Sequence, residues 1–329
     1  MCDQLVEQPP KALDEALSVS VIIPTKNRVD DLFLTVQTLL QQTVLPDELI
    51  VVDQNESDAC EVTVKRLFHD AGQRTKLRYV HDPKIHGGAT ARNVAIAESS
   101  GSVLLFLDDD VELERDFLEQ LLETYKSNPG ATGVSGVVTN YHAPSIVMRL
   151  WKRTFMRGPF RDDRELFYWK AAASGNPDLG HVTRLGGGLM SFRASAIGEV
   201  RFDDNLRGVS DGEDVDFCMH LGQDSDLLMN PRARLVHHPS SAGRTKDHWI
   251  RRYVRGQVYL YWRNWDRSTK NRLCLFWFLI GAGVMATGSA VFKHSLHAWR
   301  SLLLGYKDGI AAANHRGGMV AHGGSTAYR

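Results

Sequence analysis

Cysteine is scarce in this chain: Cys2, Cys60, Cys218 and Cys274 are the four in 329 residues, and no two form a CxxC pair. That spacing argues against a disulfide framework or a structural zinc site, and it suits a reducing compartment. Net charge is lacking too. The 39 basic residues balance 39 acidic ones, so global charge gives no support to nucleic-acid binding and no such partner is expected. The opening residues carry acids and no apolar run of the signal-peptide kind, so the N-terminal part is expected to stay in the cytoplasm. GxxxxGK[ST] is absent, which argues against a P-loop hydrolase. The first apolar run leads into PTKNRVDD rather than GxGxxG, which argues against a dinucleotide-binding Rossmann domain. There is no internal repeat and no low-complexity tract.

What is present fits a globular chain with a sizeable core: 43% hydrophobic and 24% charged residues. Residues 19–24 (VSVIIP), 48–53 (ELIVVD), 77–81 (LRYVH), 103–107 (VLLFL) and 133–139 (GVSGVVT) read as strands. Between them, Leu32, Phe33, Val36, Leu39 and Leu40 share one helical face. Val94 and Ala95 belong to a helical stretch opened by Gly87 and Gly88, and Phe117, Leu118, Leu121, Leu122 and Tyr125 mark an amphipathic helix. Strands alternating with helices predict an α/β fold with a doubly wound, mostly parallel sheet. Ligands of such sheets bind outside the carboxyl ends of the strands. Polar residues gather at those ends: 25–28, Asp53, and the triplet Asp108, Asp109, Asp110.

Three carboxylates closing an apolar strand need a cation or solvent to neutralise them. Hard oxygen ligands favour Mg²⁺ or Mn²⁺, ions that also take phosphate oxygens. The plainer alternative is a polar loop capping the next helix. Beyond residue 139 the pattern becomes irregular and rich in Arg and aromatics. A run of glycines at 186–188 precedes LMSFRASAI, GEDVDF occupies 212–217, and ARLVHH at 233–238 reads as a strand.

VSVIIPTKNR, ELIVVDQNESD, HGGATARN, FLDDD and GEDVDF, in this order, resemble the family 2 glycosyltransferases of GT-A fold. The resemblance spans roughly residues 19–217. It implies an inverting transfer of sugar from a nucleoside-diphosphate sugar to a saccharide or lipid-linked acceptor, with Mg²⁺ or Mn²⁺ as cofactor. By carry-over, Pro24, Thr25, Asn27 and Arg28 lie under the nucleotide, Asp53 contacts the base, and Gly88, Arg92 and Asn93 border the nucleotide. Asp108 faces the ribose, Asp109 belongs to the same donor-binding segment, and Asp110 ligates the metal. Asp214 is the expected catalytic base. Glu213 contacts the acceptor or orients its loop, and Gly187 and Gly188 shape the acceptor site. His237, rather than His238, is the expected further metal ligand. Plainer readings stand beside these: Asn27 as a helix cap, Arg92 as a surface residue, and Glu213, Asp214 and Asp216 as acids favouring a helix dipole. The QxxRW motif of many processive members is absent, so single addition is expected. The alternatives are a catalytically inactive nucleotide-sugar or glycan-binding protein of the same fold, and a nucleotidyltransferase.

Past residue 249, Arg251, Arg252, Arg255, Arg263 and Arg267 mix with Trp and Tyr, a composition that suits a headgroup layer. Residues 273–292 then run for 20 positions without a charge, about the length that crosses a bilayer. Glycines in their second half favour an interfacial or re-entrant helix as much as a span. The expected organisation is a tail (1–17), a nucleotide-sugar-binding half (18–140), an acceptor-binding half carrying the base (141–248), and a helical membrane-associating region (249–329). The expected location is the cytoplasmic face of the cell membrane, with the membrane surface as a partner.

Overall fold

The computed structural model describes residues 17–71, 74–164, 167–168, 178–206, 212–222, 224–239, 249–293 and 296–314. Of the expected tail only residue 17 falls within this range, and residues beyond 314 lie outside it. The strands β1 (Val19–Thr25), β2 (Glu48–Asp53), β3 (Lys76–His81) and β4 (Val103–Leu107) pair in parallel, with β1 between β2 and β4. Helices α1 (Val29–Leu39), α2 (Ala59–Ala71) and α3 (Gly88–Glu98) make the crossovers. The chain winds outward from β1 to β3, then returns to β4 on the other side of β1. That reversal opens a crevice at the carboxyl ends of β1 and β4. Residues 25–28 and the aspartate triplet both emerge there.

β1 and β4 are apolar nearly throughout because both sheet faces are covered. Val21, Ile23, Leu105 and Leu107 join one core with Leu32, Val36 and Phe117. Ile22, Leu104 and Phe106 join the other, with Met190, Phe192 and Phe217. The second half adds β5 (Val111–Leu113), α4 (Phe117–Ser127), β6 (Gly133–Val138), β7 (Gly180–Val182), β8 (Leu189–Arg193) and β9 (Leu227–His237). The sheet order is β3-β2-β1-β4-β8-β6-β9-β5, with β7 also on β9. β6 and β9 run with the first four strands; β5, β7 and β8 run against them. The strand expected at 233–238 is longer than its apolar pattern suggests. It begins at Leu227 and passes through Pro231, where the pairing with β6 shifts register between Met229 and Arg234. An irregular stretch of ladder is where a strand tolerates proline, which has no N–H to donate.

A third core is helical. Helices α5 (Ile146–Phe155), α8 (Trp249–Asn264), α9 (Thr269–Lys293) and α10 (His297–Asn314), with the 3₁₀ turn Gly158–Phe160, bury Trp151, Phe160, Val254, Val258, Phe278, Ala282 and Leu302 together. The helical unit therefore includes α5, drawn from the middle of the chain, as well as residues beyond 249. The Trp151 indole donates to the Gly281 carbonyl (2.8 Å) and the Trp277 indole to the Thr154 carbonyl (2.8 Å), fixing α5 on α9. α10 lies close on α8 through Gly305 and Gly309: a Cβ there would meet the Arg251 carbonyl at 2.5 Å or the Arg255 carbonyl at 2.8 Å. Two short helices, α6 (Ala194–Ile197) and α7 (Glu213–His220), complete the described fold.

Candidate active site

β4 hands its apolar run directly to the aspartates, and each is used differently. Asp109 turns inward, 3% exposed. Its oxygens accept from the Thr25 hydroxyl (2.7 Å) and the Arg28 guanidinium (2.7 Å), which ties the β4 end to the β1 end. Burial pushes the Asp109 carboxyl up to about 6, while Arg28 and Thr25 pull the other way. Arg28 also reaches Asp110 at 3.2 Å. Asp108 is the most open of the three, its side chain 38% exposed.

Asp108, Asp110 and His237 bring ligand atoms within 4.8 Å of one another. His237 Nε2 lies 3.1 Å from Asp110. It arrives there through the pairing of β9 with β5, which sets His237 opposite Val111. His238 turns to Glu112 instead (3.0 Å). Two carboxylates and an imidazole suit a divalent ion such as Mg²⁺ or Mn²⁺, the imidazole weighting the set towards Mn²⁺.

Arg92 joins the two acidic groups. It is 4% exposed, and it donates to Asp108 (3.1 Å), the Gly187 carbonyl (3.2 Å) and Glu213 (3.4 Å). A surface helix residue would make no such set of contacts. Glu213 and Asp214 open α7, after Gly212 at φ +90°, a left-handed conformation that glycine adopts readily. Asp216, another acid of that turn, faces inward and accepts from Asn264 (2.7 Å), so it anchors α7 to α8. Asp214 accepts from Arg164 (2.8 Å), from the Gly187 amide (3.1 Å) and from the Val215 amide (2.9 Å). Glu213 is less well served. One of its oxygens is buried with no hydrogen-bond partner among the described residues. Burial first, then the neighbouring Asp214, raises its carboxyl to about 7, with Arg92 opposing.

Pro24, Thr25, Asn27, Arg28, Gly88, Arg92, Asp108, Asp109, Asp110, Gly187, Gly188, Glu213, Asp214 and His237 line one cavity of about 1540 Å³. Asn27 does not cap α1. Arg28 holds that position, and Asn27 adopts a left-handed φ of 57° with its backbone amide donating to the Asn55 side chain. A Cβ at Gly188 would stand 2.3 Å from the Asp108 carboxylate, so the backbone must be bare there. Asp53 and Asn93 stand outside the lining. Asp53 is fully buried, accepting from the Asn55 amide and the Tyr79 hydroxyl. Gln54, one residue on, lines the wall instead and accepts from the Gly87 amide (2.9 Å). Asn93 clasps both backbone groups of Phe202 at 2.8 Å.

Arg164 is a site residue that sequence reasoning misses. It is held by Asp162 through contacts of 2.7, 3.0 and 3.2 Å, and it donates to the Leu185 carbonyl as well as to Asp214. Burial works against its charge, but Asp214 and Asp162 outweigh burial and keep the guanidinium ionised. Burial likewise opposes ionisation of Asp162, yet Arg164 holds that carboxyl down to about 2.

The model of glycosyl transferase family 2 matches residues 20–178. The chain is 30% identical over 255 residues to the succinoglycan biosynthesis protein ExoM of Rhizobium meliloti, covering 75% of each. It is 28% identical over 247 residues to a glucosyl-dolichyl phosphate glucuronosyltransferase of Haloferax volcanii, covering 71% of this chain and 73% of that one. Among solved structures, S. aureus TarS 1-349 in complex with UDP-GlcNAc superposes with a TM-score of 0.58 at 15% identity, over 91% of this chain and 82% of that one. The mannosyltransferase PcManGT of Pyrobaculum calidifontis, in complex with GDP-Man and Mn²⁺, gives 0.53 at 18% identity, over 92% and 90%. The fold is that of the GT-A glycosyltransferases. The chain belongs to glycosyl transferase family 2 and is a glycosyltransferase. That membership sets aside both the nucleotidyltransferase and the non-catalytic binder.

Proposed function

We propose that the chain is an inverting glycosyltransferase that moves one sugar from a nucleoside-diphosphate sugar to a saccharide or lipid-linked acceptor, in cell-surface polysaccharide or glycolipid synthesis. The observation that carries this reading is Arg92, whose contacts bind the acidic end of β4 to the turn of Glu213 and Asp214 in one cavity. Residues 25–28 and Gly88 receive the nucleotide. Asp110 and His237, with Asp108 beside them, would hold Mg²⁺ or Mn²⁺, which offsets the charge of the departing diphosphate when bound. Asp214 takes the proton of the acceptor hydroxyl as its oxygen attacks the anomeric carbon. The new C–O bond forms as the bond from that carbon to the diphosphate oxygen breaks on the opposite face, which inverts the centre.

A second reading gives the proton to Glu213. Its buried oxygen without a hydrogen-bond partner and its carboxyl raised to about 7 suit a base working near neutral pH. Asp214 then aligns the loop through Gly187. Comparing Asp214→Asn with Glu213→Gln separates the two.

The helical unit supports association with a membrane, whose cytoplasmic face is the one proposed. Over Thr269–Val291, α9 is long and apolar enough to cross a bilayer, and 28% of its apolar window is buried. A core helix would be mostly covered. α9 instead packs Phe278, Ala282 and Ala286 inward and leaves Phe276, Ile280 and Val284 exposed. Such a face fits a helix lying in the membrane interface. The Haloferax relative's action on a glucosyl-dolichyl phosphate agrees with a membrane-borne acceptor, and the Rhizobium relative's part in succinoglycan biosynthesis agrees with polysaccharide synthesis. The donor is tested with a panel of nucleotide sugars scored by thermal shift, with and without Mn²⁺. A metal-dependent shift with at least one donor is expected; none with any donor would overturn the reading.

A further inference from the structure

We propose that Arg153, Arg157 and Arg161 form a strap that binds the phosphate group joining an acceptor saccharide to its lipid. The proposal rests on the lipid-linked reading of the acceptor above. The three cations are spaced by four. Arg153 stands in the last turn of α5, Arg157 precedes the 3₁₀ turn Gly158–Phe160, and Arg161 closes that turn. All three are exposed, and all line the cavity that holds Asp108 and Asp214.

No carboxylate among the described residues forms an ion pair with any of the three. Several arginines elsewhere on the surface are paired: Arg78 with Glu98 at 2.6 Å, Arg234 with Glu114 at 3.0 Å and Arg251 with Asp308 at 2.6 Å. Clustered like charges repel, and a bound anion relieves that repulsion. Guanidinium forks match phosphate oxygens two at a time, which is why arginine recurs at phosphate sites. The strap is also held in place. Phe160 stacks on Phe278 of α9 with centroids 4.6 Å apart, and Arg157 Nε donates to the Thr154 carbonyl (3.2 Å).

Position suits an acceptor better than a donor. The strap lies on the helical unit, where the cavity wall gives way to apolar surface. α5 exposes Ile146, Val147 and Leu150, at 67, 77 and 59%. Its Phe155 ring lies 5.4 Å from that of Trp277, on the helix that exposes Phe276 and Ile280. A molecule with an apolar chain, a phosphate and a sugar matches this order of surfaces: chain on the helices, phosphate at the strap, sugar towards Asp214. The cavity, about 1540 Å³, exceeds the roughly 300–1,000 Å³ that serves one ligand of drug size, which leaves room for donor and acceptor together.

The test is calorimetric titration of the full chain in detergent with EDTA, using farnesyl diphosphate as probe and farnesol and inorganic pyrophosphate as comparators. Wild type is expected to bind farnesyl diphosphate at least ~10-fold tighter than either comparator, and the variant R153Q/R157Q/R161Q to lose at least ~10-fold, the scale of a lost charge-assisted contact. UDP and GDP are titrated separately with Mn²⁺. An equal loss of nucleoside-diphosphate affinity would assign the strap to the donor and overturn the proposal. Unchanged farnesyl diphosphate binding in the variant would overturn it too, as would pyrophosphate binding as tightly as the prenyl compound. Binding to phosphatidylglycerol vesicles forms a further arm: a loss confined to vesicles means that the strap reads bulk headgroups, and the proposal falls. Should the glutamine variant not fold, R153K/R157K/R161K keeps the charge and removes the fork, and a loss of ~3-fold or more is then expected. Wild type that binds farnesyl diphosphate but no nucleotide sugar would sink the nucleotide-sugar reading of the donor and leave the strap standing.

Discussion

The two ends of the cavity handle charge in opposite ways. At the sheet end, carboxylates are packed against arginines: Asp109 and Asp110 against Arg28, Asp108 and Glu213 against Arg92, Asp214 against Arg164. At the helical end, Arg153, Arg157 and Arg161 stand exposed beside apolar surface. Buried carboxylates would be prohibitive without their cations, so the sheet end is built as a closed network in which each member fixes another. The helical end is open, and its affinity is left for a ligand. Position is set at one end and reach at the other. Substitutions at the sheet end should therefore change the chemistry, and substitutions at the helical end should change acceptor binding at the strap and location at the apolar face.

The sharpest break is at the metal-binding pole. Asp110→Ala is expected to abolish metal-dependent turnover of the donor, measured as nucleoside diphosphate released with saturating Mn²⁺. Retained Mn²⁺-dependent activity would move the metal to other ligands. Next comes the base. Asp214→Asn is expected to lower transfer by about 10²–10⁴-fold, the range of a lost general base, with donor binding preserved in the thermal-shift assay. Normal transfer by Asp214→Asn, with loss in Glu213→Gln, would hand the proton to Glu213. Gly188→Ala is a milder break of the same network. Its methyl would stand 2.3 Å from the Asp108 carboxylate. Asp108 must turn away, and an increase of about 10-fold in the donor KM is expected, on the scale of a lost charge-assisted hydrogen bond.

At the helical end the expected effect is on location. Replacing Phe276, Ile280 and Val284 by glutamine removes apolar surface from the exposed face of α9 without touching the lining of the active-site cavity. Each fully buried side chain of this kind contributes roughly 1.5–3 kcal/mol on leaving water. The variant should shift from the membrane fraction to the soluble fraction on sedimentation, while the thermal response to donor stays as in wild type. A protein that sediments as before would show that this face does not hold it on the bilayer.

How far each end can be read from sequence follows from the same contrast. Residues 103–107 are an unbroken apolar run that stops at Asp108, and that junction announces both a buried strand and a site at its end. The helices facing the sheet declare themselves by periodicity, as Leu118, Leu121, Leu122 and Tyr125 do. Arg164 carries no such signal. It is one arginine in an arginine-rich tract, and its partner Asp214 lies 50 residues away. The assignment of α5 to the helical unit is hidden for the same reason, since Trp151 meets Gly281 across 130 residues. Asp53 and Gln54 illustrate a finer limit. Adjacent residues at a strand end face different surroundings, and sequence does not say which of the two the fold turns to Tyr79 and which to the cavity.

The smallest expected effect tests what the closed network costs. Burial and Asp214 raise the Glu213 carboxyl from its ordinary 4.5 to about 7. Between those values the folded chain keeps a proton that the unfolded chain has released, so stability should fall as pH rises across that window and level off above it. Glu213→Gln carries no titrating group there. Its stability relative to wild type, read through the thermal midpoint, should climb from about pH 4.5 to about pH 7 and then stay constant, by an amount on the order of 1–3 kcal/mol. Arg92 opposes the effect, because its guanidinium at 3.4 Å favours the ionised form. Arg92→Met should therefore carry the decline on to higher pH in the presence of Glu213 and have little influence on the pH dependence in the Gln variant. A midpoint difference that does not depend on pH would mean that Glu213 is ionised at ordinary carboxylate pH, and the case for it as a base poised near neutrality would go with it. A pH-dependent difference would mean that the sheet end sacrifices stability to keep one carboxyl reactive, as sites shaped for chemistry commonly do.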